Sequence, residues 1–206
     1  FWAGNRARSQ FIAKFFPNND APEATIADMA SAAGDDRAIF NNIGHTLHIA
    51  TNDVFKNGYA VAKFNNFKTD GSTGHDATFP DADFFLFRAA EAYLTFAEAD
   101  ARQNGGRTTT EGTNAINDLR IRAHTTSKGV YSLNDILDEW SREFYFEGRR
   151  RVDLIRHDKF GGNNDFLWEW KGGVQNGRNF EAYKNVFALP STAITAGYRQ
   201  NPGYTN

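Results

Sequence analysis

Phe87-Arg88-Ala89-Ala90-Glu91-Ala92-Tyr93-Leu94-Thr95-Phe96-Ala97-Glu98-Ala99-Asp100-Ala101-Arg102-Gln103 is the stretch on which the fold turns. From about Asp83 to Gln103, the residues Leu86, Ala90, Tyr93, Ala97 and Ala101 recur at steps of three and four, the period of an amphipathic helix. At about 100° per residue, Arg88, Glu91, Thr95, Glu98 and Arg102 fall on the opposite, solvated side, and Gly105-Gly106 ends the helix. Alanine lines much of the dry stripe, and small side chains let a second helix approach closely. The pattern therefore predicts a helix packed against another helix.

The next residues supply partners. Thr108-x-x-Glu111 reads as a capping box ahead of Ile116, Leu119 and Ala123, which predicts a shorter helix ending near His124. A third helix is expected to start at Ser132, capped together with Asp135, and to turn Leu133, Ile136 or Leu137, Trp140 and Phe144 inward until Gly148 interrupts it. From Arg149 to about His157 a short helix carries Val152, Leu154 and Ile155, with Arg149, Asp153 and Arg156 at ion-pair spacing. The helical block thus runs over about 83–157. Asn65 to Pro80 and Gly161 to Asn179 are rich in Gly, Asn, Asp, Ser and Thr and read as long loops, the usual carriers of specificity. Phe11 to Phe16 and Ile26 to Met29 suggest helical turns, and Tyr59 to Phe64 alternates like a short strand. No repeat of fixed period is evident, although Ala92-x-x-x-Phe96 matches one fragment of the tetratricopeptide pattern. The expectation is one all-α domain over 1–206, with long irregular loops and little β-structure.

Composition narrows the function. With 23 basic against 25 acidic residues and a formal charge of -2, the chain has no general attraction for a phosphate backbone, and nucleic acid is not an expected partner. It contains no cysteine, which excludes disulfides and thiolate metal sites within it. No run approaches the roughly 18 apolar residues of a membrane span. The 19 Phe, 7 Tyr and 4 Trp suit either rings wedged between helices or a surface that stacks on flat ligands.

Six phrases stand in one order along the chain. They are Phe87 to Leu94 with Ala97-Glu98-Ala99, Ile116 to Ala123, Ser141 to Arg150 running on into Asp153-Leu154-Ile155-Arg156, Phe166 to Gly173, Phe187-Ala188-Leu189-Pro190, and Gln200-Asn201-Pro202-Gly203-Tyr204. Together they resemble the C-terminal half of SusD/RagB proteins. The departures are small: Ala188 stands where an apolar residue or Pro is expected, and Trp140 where a charged residue is common. The resemblance implies a SusD-like, tetratricopeptide-like helical fold and a C-terminal portion of a longer chain. The other half would carry a lipid-anchored N-terminal cysteine, the only membrane attachment, and much of the sugar-contacting surface. It further implies a non-catalytic lipoprotein exposed at the outer-membrane cell surface of Bacteroidetes-type bacteria. Such a protein binds oligosaccharide and delivers it to a SusC-like, TonB-dependent transporter for carbohydrate uptake. The alternative is a protein- or peptide-binding scaffold of the same kind of complex, without a sugar site.

The residues themselves do not point to catalysis, and for the aromatic residues packing in a core or against a partner is the alternative to ligand contact. Arg142, Glu143, Glu147, Arg149, Arg150, Asp153 and Arg156 crowd a short span, but spacing of three to four residues suits ion pairs across a helical junction, each worth about 0.3 to 0.5 kcal/mol when exposed. Glycoside hydrolysis needs two carboxyls facing each other across a sugar, whereas Glu139 and Glu143 share one helix face. No catalytic residue is expected. His45-x-x-His48 with Asp53 lacks the glutamate of a zinc protease. Asp70, Asp76, Asp81 and Asp83 offer hard oxygens for calcium at a spacing unlike an EF-hand, so calcium is the one cofactor worth testing. Glycan capture calls for exposed rings flanked by polar side chains. Trp168, Trp170 and Lys171, near Asn163, Asn164 and Asn176, fit that description, as does Trp2 near Asn5 and Arg6. If the chain is extended there, Trp168 and Trp170 point to opposite faces.

Overall fold

The computed structural model describes residues 4–76 and 78–205, so Trp2 lies outside the described residues. The chain forms two compact units, Phe1–Arg149 and Arg150–Asn206.

In the first unit, β1 (Arg6–Ala7), α1 (Ser9–Ile12), α2 (Ile26–Ala33), β2 (Phe40–Asn41) and β3 (Tyr59–Val61) precede three longer helices, α3 (Ala89–Gln103), α4 (Thr110–Arg122) and α5 (Leu133–Phe144). The strands form a small antiparallel sheet in the order β1-β3-β2, with Ala7 opposite Tyr59 and Phe40 opposite Val61. The alternating segment at Tyr59 is therefore the central strand. Phe15, Phe40 and half-buried Phe11 meet edge to face with centroids 5.5 to 5.7 Å apart, joined by Ile12, Met29 and Tyr145 in one core. Such ring pairs add about 0.5 to 1.5 kcal/mol each beyond the area they bury.

The second core is helical. Ala90, Leu94, Ala97 and Ala101 of α3 pack with Ile116 and Leu119 of α4 and with Ile136, Trp140 and Phe144 of α5. The alanines make α3 the helix that both neighbours approach, as the sequence pattern predicts. Ser132 caps α5 as expected: its hydroxyl accepts from the Asp135 amide at 3.2 Å, and the Asp135 carboxylate accepts from the Ser132 amide at 2.9 Å.

Tyr93, expected on the dry stripe of α3, is 40% exposed, and Leu94 is buried in its place. Three further details differ from the sequence expectation, each because a distant contact overrides a local rule. Residue 88 is extended, so α3 begins at Ala89 rather than near Asp83 and leaves Leu86 exposed. Arg88 is held by Glu143 and Glu147 of another segment, and its guanidinium lies 3.8 Å from the Phe144 ring centroid. Glu98, expected in water, is buried because Trp140 cannot be buried without an acceptor for its indole N–H, which donates to Glu98 Oε2 at 2.9 Å. Thr108 does not cap α4. Its hydroxyl accepts from the Tyr131 amide, while Asp100 of α3 accepts from the backbone N–H and the hydroxyl of Thr109, the N-cap residue.

The second unit consists of α6 (Arg150–Arg156), two short 3-10 turns at Lys171–Gly173 and Ala182–Asn185, and α7 (Ser191–Thr195), joined by long loops. Arg151 of α6 donates to the carbonyls of Lys184 and Asn185 and lies over the Phe187 ring at 3.7 Å. Asp153 accepts from Arg156 at 3.0 Å, the helical pair anticipated from spacing. The two closing phrases clasp each other. Gln200 both accepts from the Leu189 amide and donates to its carbonyl, Asn201 donates to Phe187, and the Tyr204 hydroxyl donates to Val186.

Candidate functional site

The loop of residues 161–179 holds three of the residues singled out for glycan contact. Trp170 sits at φ +65°, a left-handed conformation rare for so bulky a residue, and Gly172 and Gly173 continue the reversal. The turn is closed by the Trp170 amide donating to Gln175, the Lys171 amide to Trp168 and the Arg178 amide to Lys171. Gly177 lies so close to the Trp168 carbonyl that a β-carbon would not fit. The chain is therefore not extended here, and the two tryptophans are separated by a turn.

Trp168 is half-buried among rings: Phe160 stacks on it at 6.3 Å and 29°, while Phe166 and Phe180 meet it at steeper angles. The Lys171 ammonium lies 4.7 Å from the Trp168 centroid. Lys171 is only 1% exposed, and its ammonium donates to the Phe166 carbonyl at 2.7 Å, with the Asn164 and Asn179 side-chain oxygens at 3.5 and 3.4 Å. Burial lowers its pKa below the usual lysine range. Lys171 is engaged inside the loop, pinning the turn. The loop presents to water Asn163, Asp165, Leu167, Val174, Asn176 and Arg178, with Trp170, like Trp168, partly exposed. Donors and acceptors of that kind beside a ring are suited to hydroxyl-rich ligands.

Charge is concentrated elsewhere, under α5. Glu139, 0% exposed, accepts from Arg37 at 2.8 Å, Arg120 at 2.7 Å and Arg142 at 2.7 Å. One turn on, Glu143 accepts from Arg37, Arg88 and Arg122 at 3.0, 2.5 and 2.7 Å, and Glu147 accepts from Arg88 and Lys63. Lys63 and Arg88 also donate to the Glu143 carbonyl, where the end of α5 leaves acceptors without helical partners. These pairs join segments far apart in sequence, whereas the spacing suggested mainly local ones. Burial alone would raise the Glu143 pKa, but hydrogen bonds from Arg122 and Arg88 and the charge of Arg37 outweigh it and bring it down to about 2. Glu139 and Glu147 are lowered by the same opposition of burial and guanidinium or ammonium neighbours. Over the network opens a recess of about 330 Å³, its walls including Lys63, Phe64, Phe85, Arg88 and Arg122.

The calcium candidates do not converge. Asp70 turns onto Ser72, Asp76 onto the amides of Thr78 and Phe79, and Asp81 onto the His75 amide, all as local turn contacts. His45 faces the Gly58 carbonyl. Among the described residues, no three His, Cys, Asp or Glu side chains are placed to hold a metal ion.

The SusD family model matches residues 19–204. The chain belongs to the SusD family. All six phrases quoted from the sequence lie inside that span, so the resemblance drawn from them holds. A SusD-family relative, the Starch-binding protein SusD of Bacteroides thetaiotaomicron, is 43% identical over 184 residues, which is 86% of this chain and 32% of that protein. The chain thus spans about a third of the length of that curated relative. Among solved structures, a SusD superfamily protein from Parabacteroides distasonis aligns with a TM-score of 0.49 and 21% identity, covering 72% of this chain and 32% of that one.

The ion network was only half legible in the sequence. Glu143, Glu147 and Arg142 stand out as a crowded span, but Arg37 and Lys63 carry no local signal, because they reach α5 across 106 and 80 residues of chain.

Proposed function

We propose that this chain forms part of a non-catalytic glycan-binding protein of the bacterial cell surface, which captures oligosaccharide and passes it to a SusC-like, TonB-dependent transporter of the outer membrane. A lipid anchor on the longer polypeptide supplies the membrane attachment. The observation that carries this reading is the 43% identity over 184 residues to a protein whose name states that it binds starch. The electrostatics under α5 support the non-catalytic part. A glycosidase acid must hold its proton near neutral pH, whereas Glu143 sits at about 2 and Glu139 and Glu147 are lowered too, each against at least two cations. In the loop of residues 161–179, Trp170 is the ring we assign to the sugar, and Trp168 the ring that supports the loop.

Calorimetry of the native protein against a panel of neutral and acidic glycans, starch oligosaccharides included, tests this. Saturable heat with at least one glycan and no released product is the expected result, and Trp170→Ala should weaken that binding about tenfold, as loss of a stacking contact of ~1.4 kcal/mol does. Heat with no glycan would favour a scaffold that holds protein or peptide. Product release would make the protein an enzyme.

A further inference from the structure

The network under α5 holds more positive than negative charge. Among the described residues its ion pairs join six cations to four carboxylates, a surplus of two positive charges. The recess of about 330 Å³ opens over this surplus. Glu143 and Glu147 also line it, but every oxygen of theirs already accepts. Glu143 takes Arg88 and Arg122 on Oε1 and Arg37 and Arg122 on Oε2, while Glu147 takes Arg88 and Lys63 on Oε1 and Arg88 on Oε2. Donors, by contrast, are left over. Arg122 reaches Glu143 through Nη2 alone, at 2.7 Å, so its Nε and Nη1 have no partner among the described residues, and its side chain is 53% exposed. Burial above all, with the charge of Arg88 added, holds the Lys63 pKa below the usual lysine range against the pull of Glu147. The walls also carry two apolar rings, Phe64 and Phe85, 44% and 56% exposed. Apolar walls exclude water and so strengthen the attraction between a cation and an incoming anion.

We propose that this recess is a binding site for a single acidic sugar residue, whose carboxylate meets the unused N–H groups of Arg122 and whose apolar ring face lies on Phe64 and Phe85. A charge surplus held partly out of water is unfavourable, and an anion that enters the recess offsets it. The volume lies at the small end of ligand pockets, so the recess admits one ring and not a chain. Aromatic faces suit the C–H groups of a sugar. The whole chain, at a formal charge of -2, has no general attraction for polyanions, so the positive charge is local and selects a small anion. That the ring is a sugar rests on the glycan-binding reading. That it carries an anion rests on the recess alone, and none of the lining residues belongs to the loop of residues 161–179.

Calorimetry of the native full-length polypeptide at low salt tests this with galacturonate, its methyl ester, acetate and a neutral starch oligosaccharide. Galacturonate should bind with a Kd of about 1 mM, as a ligand of roughly thirteen heavy atoms does at ordinary efficiency. The methyl ester keeps the ring and loses the charge, and should bind at least tenfold more weakly. Arg122→Gln should weaken galacturonate at least tenfold, and Arg122→Lys, which keeps the charge, should recover most of that loss. Glu143 retains Arg37 and Arg88 in both variants, so the fold survives them. Phe85→Ala leaves the ion pairs untouched and should weaken galacturonate severalfold. No saturable heat with galacturonate overturns the proposal, and the starch arm then tells whether the glycan-binding reading falls with it or stands. Equal heat from the ester, or galacturonate binding unchanged in Arg122→Gln, also overturns it. So does acetate binding as tightly as galacturonate, because the rings would then contribute nothing.

Discussion

Beneath α5 and within the loop of residues 161–179, buried charge is stabilised in two different ways. Under the helix, Asp35, Glu139, Glu143 and Glu147 face Arg37, Lys63, Arg88, Arg120, Arg122 and Arg142, and each carboxylate shares a cation with the next. In the loop a single ammonium, Lys171, donates to one carbonyl, and among the described residues no carboxylate reaches it. The first arrangement couples segments across the whole unit and holds the pKa of Glu139, Glu143 and Glu147 below the usual carboxylate range. The second fixes only one turn. Charge of the first kind is scaffold, and its loss spreads, whereas loss of the second remains local.

Glu139→Ala is the sharpest way to break that contrast. It removes the acceptor that Arg37, Arg120 and Arg142 share in a site closed to water. Three guanidinium groups with a missing partner, two of them buried, cost about 3 to 5 kcal/mol, a large part of the 5 to 15 kcal/mol that holds a domain folded. Urea unfolding should show the midpoint falling accordingly, and a loss under about 1 kcal/mol would show that the carboxylate is dispensable and the contrast empty.

Acid probes the same network without a substitution. The folded-state pKa of Glu143 lies at about 2, below the ordinary 4.5 of the unfolded chain, so its contribution is complete above pH 4.5 and is lost as the pH falls toward 2. At 1.36 kcal/mol per unit, this single group accounts for roughly 3 kcal/mol. Stability should be flat near neutrality and drop steeply between about pH 4.5 and 2. The Glu143→Gln variant, already weakened at neutral pH, should show a shallower drop, and an unchanged acid limb would place the sensitivity elsewhere.

How much of this was legible in the sequence follows from how far each contact reaches. The alanine stripe of α3 and the Ser132–Asp135 cap of α5 depend on neighbours within one or two turns, and both are readable directly. The start of α3 is not, because Arg88 answers to Glu143 and Glu147, more than fifty residues on. Glu98 reads as a surface residue until Trp140 is known to need its oxygen. The same limit applied to the loop: Trp168 and Lys171 have the composition of a sugar site, but only the left-handed turn at Trp170 decides that the lysine points inward. Family phrases carried further than periodicity because they record several such distant constraints at once.

The loop supplies the smallest effect, with the same sign in pH but at the alkaline end. Replacing Lys171 by Met keeps an unbranched apolar stem among Trp168, Phe166 and Phe180 while removing the ammonium. The Phe166 carbonyl loses its donor, at about 1 to 3 kcal/mol if it stays dry, and the ring contacts lose about 0.5 to 1 kcal/mol of cation–π attraction. Against this, a charge no longer has to be buried without a counter-ion. The net loss should be about 1 kcal/mol, well below that of Glu139→Ala. Because burial lowers the Lys171 pKa, the unfolded chain holds this proton more tightly than the folded one. The contribution of this group to stability therefore rises as the pH climbs through its folded-state value toward 10.5, where the α5 carboxylates no longer titrate. The Met variant should lack that alkaline rise. Hydrogen exchange should quicken at the amides of Lys171 and Arg178, which close the turn, and stay unchanged in α3 and α5. Faster exchange spreading into those helices would mean that the two kinds of buried charge are not independent.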